Sequence, residues 1–456
     1  MRYHFKPYKI LLLIFDALIL FFTFYFAYYF KLNKYPLKNE LYLLFLFIGL
    51  CLFIFYLLDL YNPWSPFSKF PMYYRSLLGI LIFSIIYLLF SFLFLSYKNP
   101  IFESRTVFII SILLLTPVFF LTRFYFYKLF DPDRLKIRWL MITNLEYALE
   151  FQKEIERRGG KWEIYYLLDK KSMKKAKNIK HLNIIGEIET EFEDVVKSNW
   201  TGIIIAIKKL ESKHINTLIE IKREGIPIYD LVYFYEYYFF KIPLFYIDDS
   251  WFLFTRGFMI IESSSIIRIK YLMDKILSIL LIILFLPIMI LVTIAIWIDD
   301  GFPILFKQER LGLDKKIFIA YKFRTMIKDA DKYNPYTQEN DPRITRIGKF
   351  LRKSRLDELP QLFNILKGDM SLIGPRAEWI KLTAIYEKEI KYYHFRHLIR
   401  PGLTGWAQIM YPYGASIEDT IQKLEYDLYY IKNYSFLLDF SIIIKTARIM
   451  LFGRGR

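Results

Sequence analysis

Residues 339–378 read ENDPRITRIGKFLRKSRLDELPQLFNILKGDMSLIGPRAE. The adjacent acids Asp357 and Glu358 lie among Arg343, Arg346, Lys349, Arg352, Lys353 and Arg355, and the turn Gly374-Pro375-Arg376 follows. Two carboxylates among so many cations suit a site that holds a divalent metal and phosphate oxygens together. Neighbours on a helix point about 100° apart, so the two acids divide labour: one attacks or takes a proton, the other holds the metal. Pro360 marks a helix start, whose free N–H groups and positive dipole end also favour phosphate. The plainer alternative makes Asp357 an N-cap and Glu358 a solvated first-turn acid, worth about 1 kcal/mol of helix stability. Lys322, Arg324, Arg352 and Arg376 are the cations expected around a pyrophosphate, Arg as a planar fork and Lys as a point charge.

Other chemistry-bearing residues carry less. His394 and His397 are three apart with no third ligand in view, and their tyrosine-rich neighbours favour a membrane-surface helix over zinc. Asp131-Pro132-Asp133 mimics a metal-binding DxD but follows an apolar span, where a turn is expected. Asp299-Asp300-Gly301 reads as the exit turn of another apolar run.

The elements that must position the acids are announced by composition. Of 456 residues, 55% are hydrophobic, 20% aromatic and 24% charged, with apolar runs early and charges late. This is the pattern of a membrane protein with additional mass outside the bilayer. A net charge of +18 calls for an anionic partner, and acidic lipid head groups with a pyrophosphate substrate suit an aromatic-rich chain better than nucleic acid. The single cysteine, Cys51, excludes intrachain disulfides and cysteine-based zinc sites. The basic start followed by a long apolar run reads as an anchor, not a cleaved signal.

Four spans are expected near 10–30, 41–60, 76–96 and 106–122. Flanking Lys and Arg favour an N-terminus inside, with residue 130 onward in the cytoplasm. Asp16, within the first span, is expected to face other helices. From 135 to 246 a βαβ rhythm predicts a parallel sheet, with strands at 137–142, 162–168, 202–207 and 226–231 and helices at 145–158 and 211–223. Its first strand–helix turn, Thr143-Asn144-Leu145-Glu146, lacks the glycines of a dinucleotide site, so a structural or regulatory role is expected. The aromatic stretch 229–258 fits either a head-group interface or an aromatic core. The apolar run 271–298 contains Pro287 and has basic flanks on both sides, which predicts a re-entrant helix whose ends stay on one face. Residues 417–451 predict amphipathic helices, on the membrane or packed on a core. The expected architecture is a four-span helical bundle (1–130), a Rossmann-like α/β module (131–250) and a mainly α-helical catalytic domain with the re-entrant helix (251–456).

KFRTM (322–326), DPRITRIGKFLRK (341–353), LDELPQLFNILKGDMSLIGPR (356–376) and RPGLTGWAQI (400–409) together make the chain resemble the bacterial polyprenyl-phosphate sugar-1-phosphate transferases, monotopic phosphoglycosyl transferases that start glycan assembly. The spans and α/β module resemble the larger members, often undecaprenyl-phosphate galactose-phosphotransferases of O-antigen, capsule or exopolysaccharide pathways. The resemblance implies that Asp357 attacks the sugar-bearing phosphorus of a UDP-sugar, releasing UMP. A polyprenyl phosphate then accepts the phosphosugar. It implies Mg²⁺ on Glu358, phosphates near Lys322, Arg352 and Arg376, and a catalytic domain on the cytoplasmic face of the inner membrane. The oligomeric state stays open, with the α/β module read as either a homodimer element or a regulatory one. Ala377 replaces the family's usual second proline, leaving the turn less rigid, and Leu286 precedes the helix proline where some relatives have Ser. A one-step transferase and a non-enzymatic membrane scaffold are the competing expectations.

Overall fold

The computed structural model describes residues 7–33, 38–57, 60–61, 79–81, 84–85, 105–129, 138–159, 162–176, 179, 181–207, 210–328, 330, 341–411, 414 and 416–451. The chain divides into two units, Met1–Tyr229 and Asp230–Arg456.

Among its described residues the first unit opens with three long apolar helices, α1 (Pro7–Leu32), α2 (Lys38–Leu57) and α3 (Arg105–Leu129). They coincide with three of the four expected spans. Of the span expected at 76–96, only 79–81 and 84–85 are described, both helical, and Asp131-Pro132-Asp133 lies outside the described residues. Apolar side chains fill the space between the helices, where the Phe55 and Phe119 rings meet at 4.5 Å, while others, Leu11, Phe22 and Leu113 among them, point outward. Asp16 does face another helix. Its carboxylate takes two hydrogen bonds from the Arg123 guanidinium, one of 2.9 Å, and neither side chain is exposed.

Next comes a parallel sheet of order β3-β2-β1-β4-β5, built from β1 (Arg138–Thr143), β2 (Glu163–Leu168), β3 (Ile184–Glu187), β4 (Gly202–Ala206) and β5 (Ile228–Asp230). This is the doubly wound order of dinucleotide-binding sheets. The helices between the strands are α4 (Leu145–Arg157), α5 (Lys170–Ala176), α6 (Ile188–Val196) and α7 (Ser212–Arg223). At the turn after β1, where such folds seat a pyrophosphate, side chains take two of the N–H groups. Tyr147 donates to the Asn144 carboxamide and Leu145 to the Ser172 hydroxyl, each at 2.9 Å.

The second unit takes over at Asp230, inside the range first read as the α/β module. Phe234, Tyr235 and Phe239 are buried while Leu253 and Phe254 are exposed, so the aromatic stretch is part core and part surface. Its dominant element is α8 (Ser264–Asp300), 37 residues that stay helical on both sides of Pro287. At 1.5 Å per residue such a helix runs about 55 Å. Its buried face changes character along its length: Lys270, Asp274 and Ser278 in the first half, Met289, Val292 and Ile296 in the second. The polar half is tied down by Lys270 donating to Asp439 at 2.8 Å and Ser371 donating to Asp274 at 2.5 Å. The far end is tied to the same unit, with the Ile347 N–H on Asp299 at 3.2 Å and the Arg324 guanidinium on Asp300 at 3.0 Å.

Around α8 lie an antiparallel hairpin of β6 (Leu305–Leu311) and β7 (Ile317–Phe323), then α9 (Arg346–Ser354), α10 (Gln361–Lys367) and a parallel pair of β8 (Ser371–Ile373) with β9 (Gly402–Thr404). The mainly helical domain therefore also carries strands, of which β8 is buried and β6 is not. Two helices close the chain, α11 (Ile417–Lys432) and α12 (Phe436–Leu451). α11 is a core helix: every residue over 424–431 is buried, and its charges are consumed internally by Lys241–Glu425 (2.6 Å) and Arg396–Asp427 (2.9 Å). α12 buries Leu438 and Ile442 and leaves Phe436, Phe440 and Ile443 outside, so of these two helices it is the one with an apolar outer face.

Candidate active site

The site is assembled where α9 hands the chain to α10. Thr345 caps α9 by accepting from the Gly348 N–H at 2.9 Å. Gly348 lets the helix lie on the Thr325 backbone, since a Cβ there would meet the Thr325 carbonyl oxygen at 2.1 Å. One turn on, Arg352 Nε donates to Thr325 Oγ1 at 2.9 Å. Arg355 then reverses the chain with a left-handed backbone (φ +57°), a conformation costing a non-glycine residue roughly 1–2 kcal/mol. Leu356–Glu358 form a single 3₁₀ turn, and Pro360 occupies the N-cap position of α10. Neither acid caps a helix by its side chain, which removes the plainer reading of Asp357.

Glu358 Oε1 accepts from Lys322 Nζ at 2.7 Å and from Arg376 Nη2 at 3.2 Å. Burial alone would raise the Glu358 carboxyl, but these two cations outweigh it and hold the group well below the usual carboxylate range. Asp357 behaves oppositely: burial pushes it up to about 6, with Lys322 opposing and the Glu358 charge reinforcing the shift. One acid is thus firmly ionised, and the other is a carboxylate of raised basicity facing Lys322, Arg352 and Arg376. Burial lowers Lys322, while Arg376 is raised by the Glu358 charge.

Lys322, Arg352 and Arg376, expected at the site, are all brought to the dyad. Arg324 is turned elsewhere. Its guanidinium seals the end of α8, donating to the Asp300 and Gly301 carbonyls at 2.7 and 2.8 Å, and it is buried there. Arg343 is held by Asp341 and the Ala330 carbonyl, and Arg346, Lys349 and Lys353 point to the surface of α9. Burial, with Arg396 and Lys315 nearby, lowers His397 to about 3, whereas His394 is exposed against Phe395.

Three residues at the site were not foreseen. Arg310, on β6, donates to the Ala377 carbonyl and to Gln308 Oε1 (2.7 Å), and shares the neighbourhood of Arg376, Glu378 and Glu358. Arg396 donates to the Arg376 carbonyl at 2.9 Å, and Gln408 accepts from Arg376 Nη1 at 3.4 Å. Together with the Gly402 N–H on the Pro375 carbonyl (2.8 Å), two guanidinium groups fasten the backbone at 376–377, where Ala377 had suggested a looser turn. Gly402 admits this approach, because a Cβ there would lie 2.0 Å from the Gly374 nitrogen. The motif 400–409 contained the signal for Gln408, but only the hairpin register reveals Arg310.

The donor set fits a hard divalent cation in one way. Among the described residues no group of three or more His, Cys, Asp or Glu side chains could hold a metal. Two neighbouring carboxylates remain, which matches Mg²⁺ bound through one or two carboxylates with substrate phosphates and water completing its shell.

The bacterial sugar transferase family pattern matches residues 265–453. The chain is 45% identical over 188 residues to a UDP-N-acetylgalactosamine-undecaprenyl-phosphate N-acetylgalactosaminephosphotransferase of Aeromonas hydrophila, covering 41% of this chain and 44% of that one. It is 38% identical over 179 residues to a UDP-glucose:undecaprenyl-phosphate glucose-1-phosphate transferase of Escherichia coli (strain K12), 38% of each. The match thus spans less than half the length of these two relatives. With the exopolysaccharide production protein PSS of Rhizobium leguminosarum bv. phaseoli it shares 42% identity over 168 residues, 35% of this chain but 84% of the relative. The dyad, its cations and this coverage lead to one conclusion: the chain belongs to the bacterial sugar transferase family.

Proposed function

We propose that this protein transfers a sugar-1-phosphate from a UDP-sugar to a polyprenyl phosphate, of the undecaprenyl type, through a phosphosugar on Asp357. The observation that carries the proposal is the dyad itself: a carboxylate of raised basicity beside an ionised one, with Lys322, Arg310, Arg352 and Arg376 around them. An Asp357 oxygen attacks the sugar-bearing phosphorus, and the bond from that phosphorus to the bridging oxygen breaks as UMP departs. The polyprenyl phosphate oxygen then attacks the same phosphorus and displaces the carboxylate, leaving a polyprenyl-diphosphate sugar. Arg376 and Lys322 neutralise charge developing on the phosphoryl oxygens. Glu358, with Asp357 beside it, would hold Mg²⁺, which supplies further charge neutralisation when bound.

The membrane reading belongs to the same proposal. Both ends of α8 are bonded to one unit, through Asp274 and Lys270 at one end and Asp299 and Asp300 at the other. This supports a helix that enters the inner membrane from the cytoplasmic face and returns, bending at Pro287, over one that crosses.

The test is UMP release by the purified protein, with Mg²⁺, across UDP-galactose, UDP-glucose and UDP-N-acetylgalactosamine. At least one sugar should work, and Asp357→Asn should lower the rate at least about a thousandfold. Silence with every sugar would overturn the assignment. A UDP-sugar labelled at its sugar-bearing phosphate should mark Asp357 without acceptor. UMP release that requires acceptor and leaves no label would establish one-step transfer instead.

A further inference from the structure

Beside the dyad stands a third carboxylate, Glu378, for which the reaction proposed above has no use. Residues 376–379 run strand-like, with Arg376 bridged to Gly402 and Trp379 to Arg310. Side chains alternate along such a segment, so Arg376 and Glu378 share one face and Ala377 takes the other. Burial agrees with this division: Ala377 packs into the core, whereas Arg376 and Glu378 are half-buried. Arg376 reaches Glu358 from its face, which puts Glu378 on the side of the turn that fronts the dyad.

Glu378 is ringed by cations that bond other groups. Burial alone would raise its carboxyl, but Arg396, Arg376, Arg310 and Lys423 outweigh it and hold the group below the usual carboxylate range. Arg376 gives one nitrogen to Gln408 and another to Glu358. Arg310 gives Nε and Nη2 to Gln308 and Nη1 to the Ala377 carbonyl. Arg396 gives Nη1 to the Tyr393 hydroxyl and Nη2 to the Arg376 carbonyl, and Lys423 donates to the Gly414 carbonyl at 2.6 Å. Among the described residues, none donates a hydrogen bond to Glu378 itself.

A site for phosphate oxygens needs donors, and a carboxylate on its rim repels them. An ionised, half-buried acceptor left without a donor instead calls for one brought by the ligand. The hydroxyl groups of a nucleotide-sugar are such donors, and dinucleotide-binding folds hold a ribose hydroxyl with an acidic side chain in the same way. Resting on the donor reaction proposed above, we infer that Glu378 is a specificity residue, whose carboxylate accepts hydrogen bonds from hydroxyl groups of the UDP-sugar while Arg376 holds the adjoining phosphates. Those hydroxyls belong to the hexose or to the ribose.

The experiment uses the full chain in lipid nanodiscs with Mg²⁺, polyprenyl phosphate and the UDP-sugar that releases UMP fastest. Its partners are the 2′-deoxyuridine form of that donor and a series each lacking one hexose hydroxyl. Glu378→Ala should lower kcat/KM for the complete donor about 10–100-fold, and in the wild type the loss of the hydroxyl that is read should cost a similar factor. The two losses should not add: Glu378→Ala should treat the complete donor and that analogue alike. Glu378→Gln, which keeps the shape and removes the charge, should show the same flattening to a smaller degree, so the result does not depend on the alanine variant folding. Flattening with the 2′-deoxy donor assigns the ribose, and flattening with a deoxyhexose makes Glu378 a selector of the sugar. Losses that multiply with every analogue, or a variant with wild-type kinetics, would overturn the inference and leave Glu378 to the uracil N–H or to steadying the turn. Failure of the functional reading would look different, since the wild type would then release no UMP from any UDP-sugar.

Discussion

Arg310 holds the Ala377 carbonyl and stands beside Arg376, so it is expected to set the aim of the turn at 374–376, proposed above to meet the phosphates. Arg310→Lys keeps the charge but loses the fork, and kcat/KM for the UDP-sugar should fall about 10–100-fold, roughly 1.4–2.7 kcal/mol of transition-state stabilisation. A lysine variant with wild-type kinetics would show that the fork does nothing. Arg310 was illegible in the sequence because its role comes from the pairing of Arg310 with Phe318 and a bridge to Trp379, both long-range. Asp357, Glu358, Lys322, Arg352 and Arg376 were legible because their motifs are dense and their partners lie close along the chain or in a second motif. Arg324 is placed away from the dyad for a local reason. It follows Lys322 by two, the spacing of one strand face, but β7 ends at Phe323 and the next residue turns to Asp300.

At the scale of elements, α9 is the lever that carries Arg352 to the dyad, and its fulcrum is Gly348. Gly348→Ala would force a methyl into the Thr325 backbone and should cost about 1–3 kcal/mol, with Arg352 displaced from Thr325. Thermal unfolding and activity should drop together; an unaltered midpoint would mean that α9 does not rest there. The long helices and four of the five strands of the parallel sheet could be read from apolar periodicity, whereas β6–β9 could not. β3 could not, since Ile184-Ile185-Gly186-Glu187 offers only two apolar residues. α11 was equally ambiguous as a sequence, because charges at helical spacing look solvated until Lys241 and Arg396, far away along the chain, are seen to meet Glu425 and Asp427.

Taken whole, the molecule stores several ionisable groups in places that make its stability sensitive to pH. His397 protonates near 6.5 in an unfolded chain, but burial and the charge of Arg396 hold it neutral to about 3 in the fold. Glu387, 3.9 Å away, pulls the other way but is already paired with Lys315 at 2.9 Å. Between those two values the unfolded state binds a proton that the folded state refuses. Stability therefore falls as pH drops through that window, by at most about 1.4 kcal/mol per pH unit from this one group. Unfolding midpoints at pH 7.5 and 5.5 should differ more for the wild type than for His397→Gln, and equal differences would assign the acid sensitivity elsewhere. The Asp16–Arg123 pair carries a different consequence, one of timing. The two residues are 107 apart, and at about 5–20 residues per second α1 leaves the ribosome roughly 5–20 s before its counter-ion exists. On the membrane reading, a carboxylate without its counter-ion costs up to about 2.5–3.5 kcal/mol on entering a bilayer, the figure for a helix centre. On the same reading, synthesis of the third described helix, not the first, is the moment at which the bundle can commit.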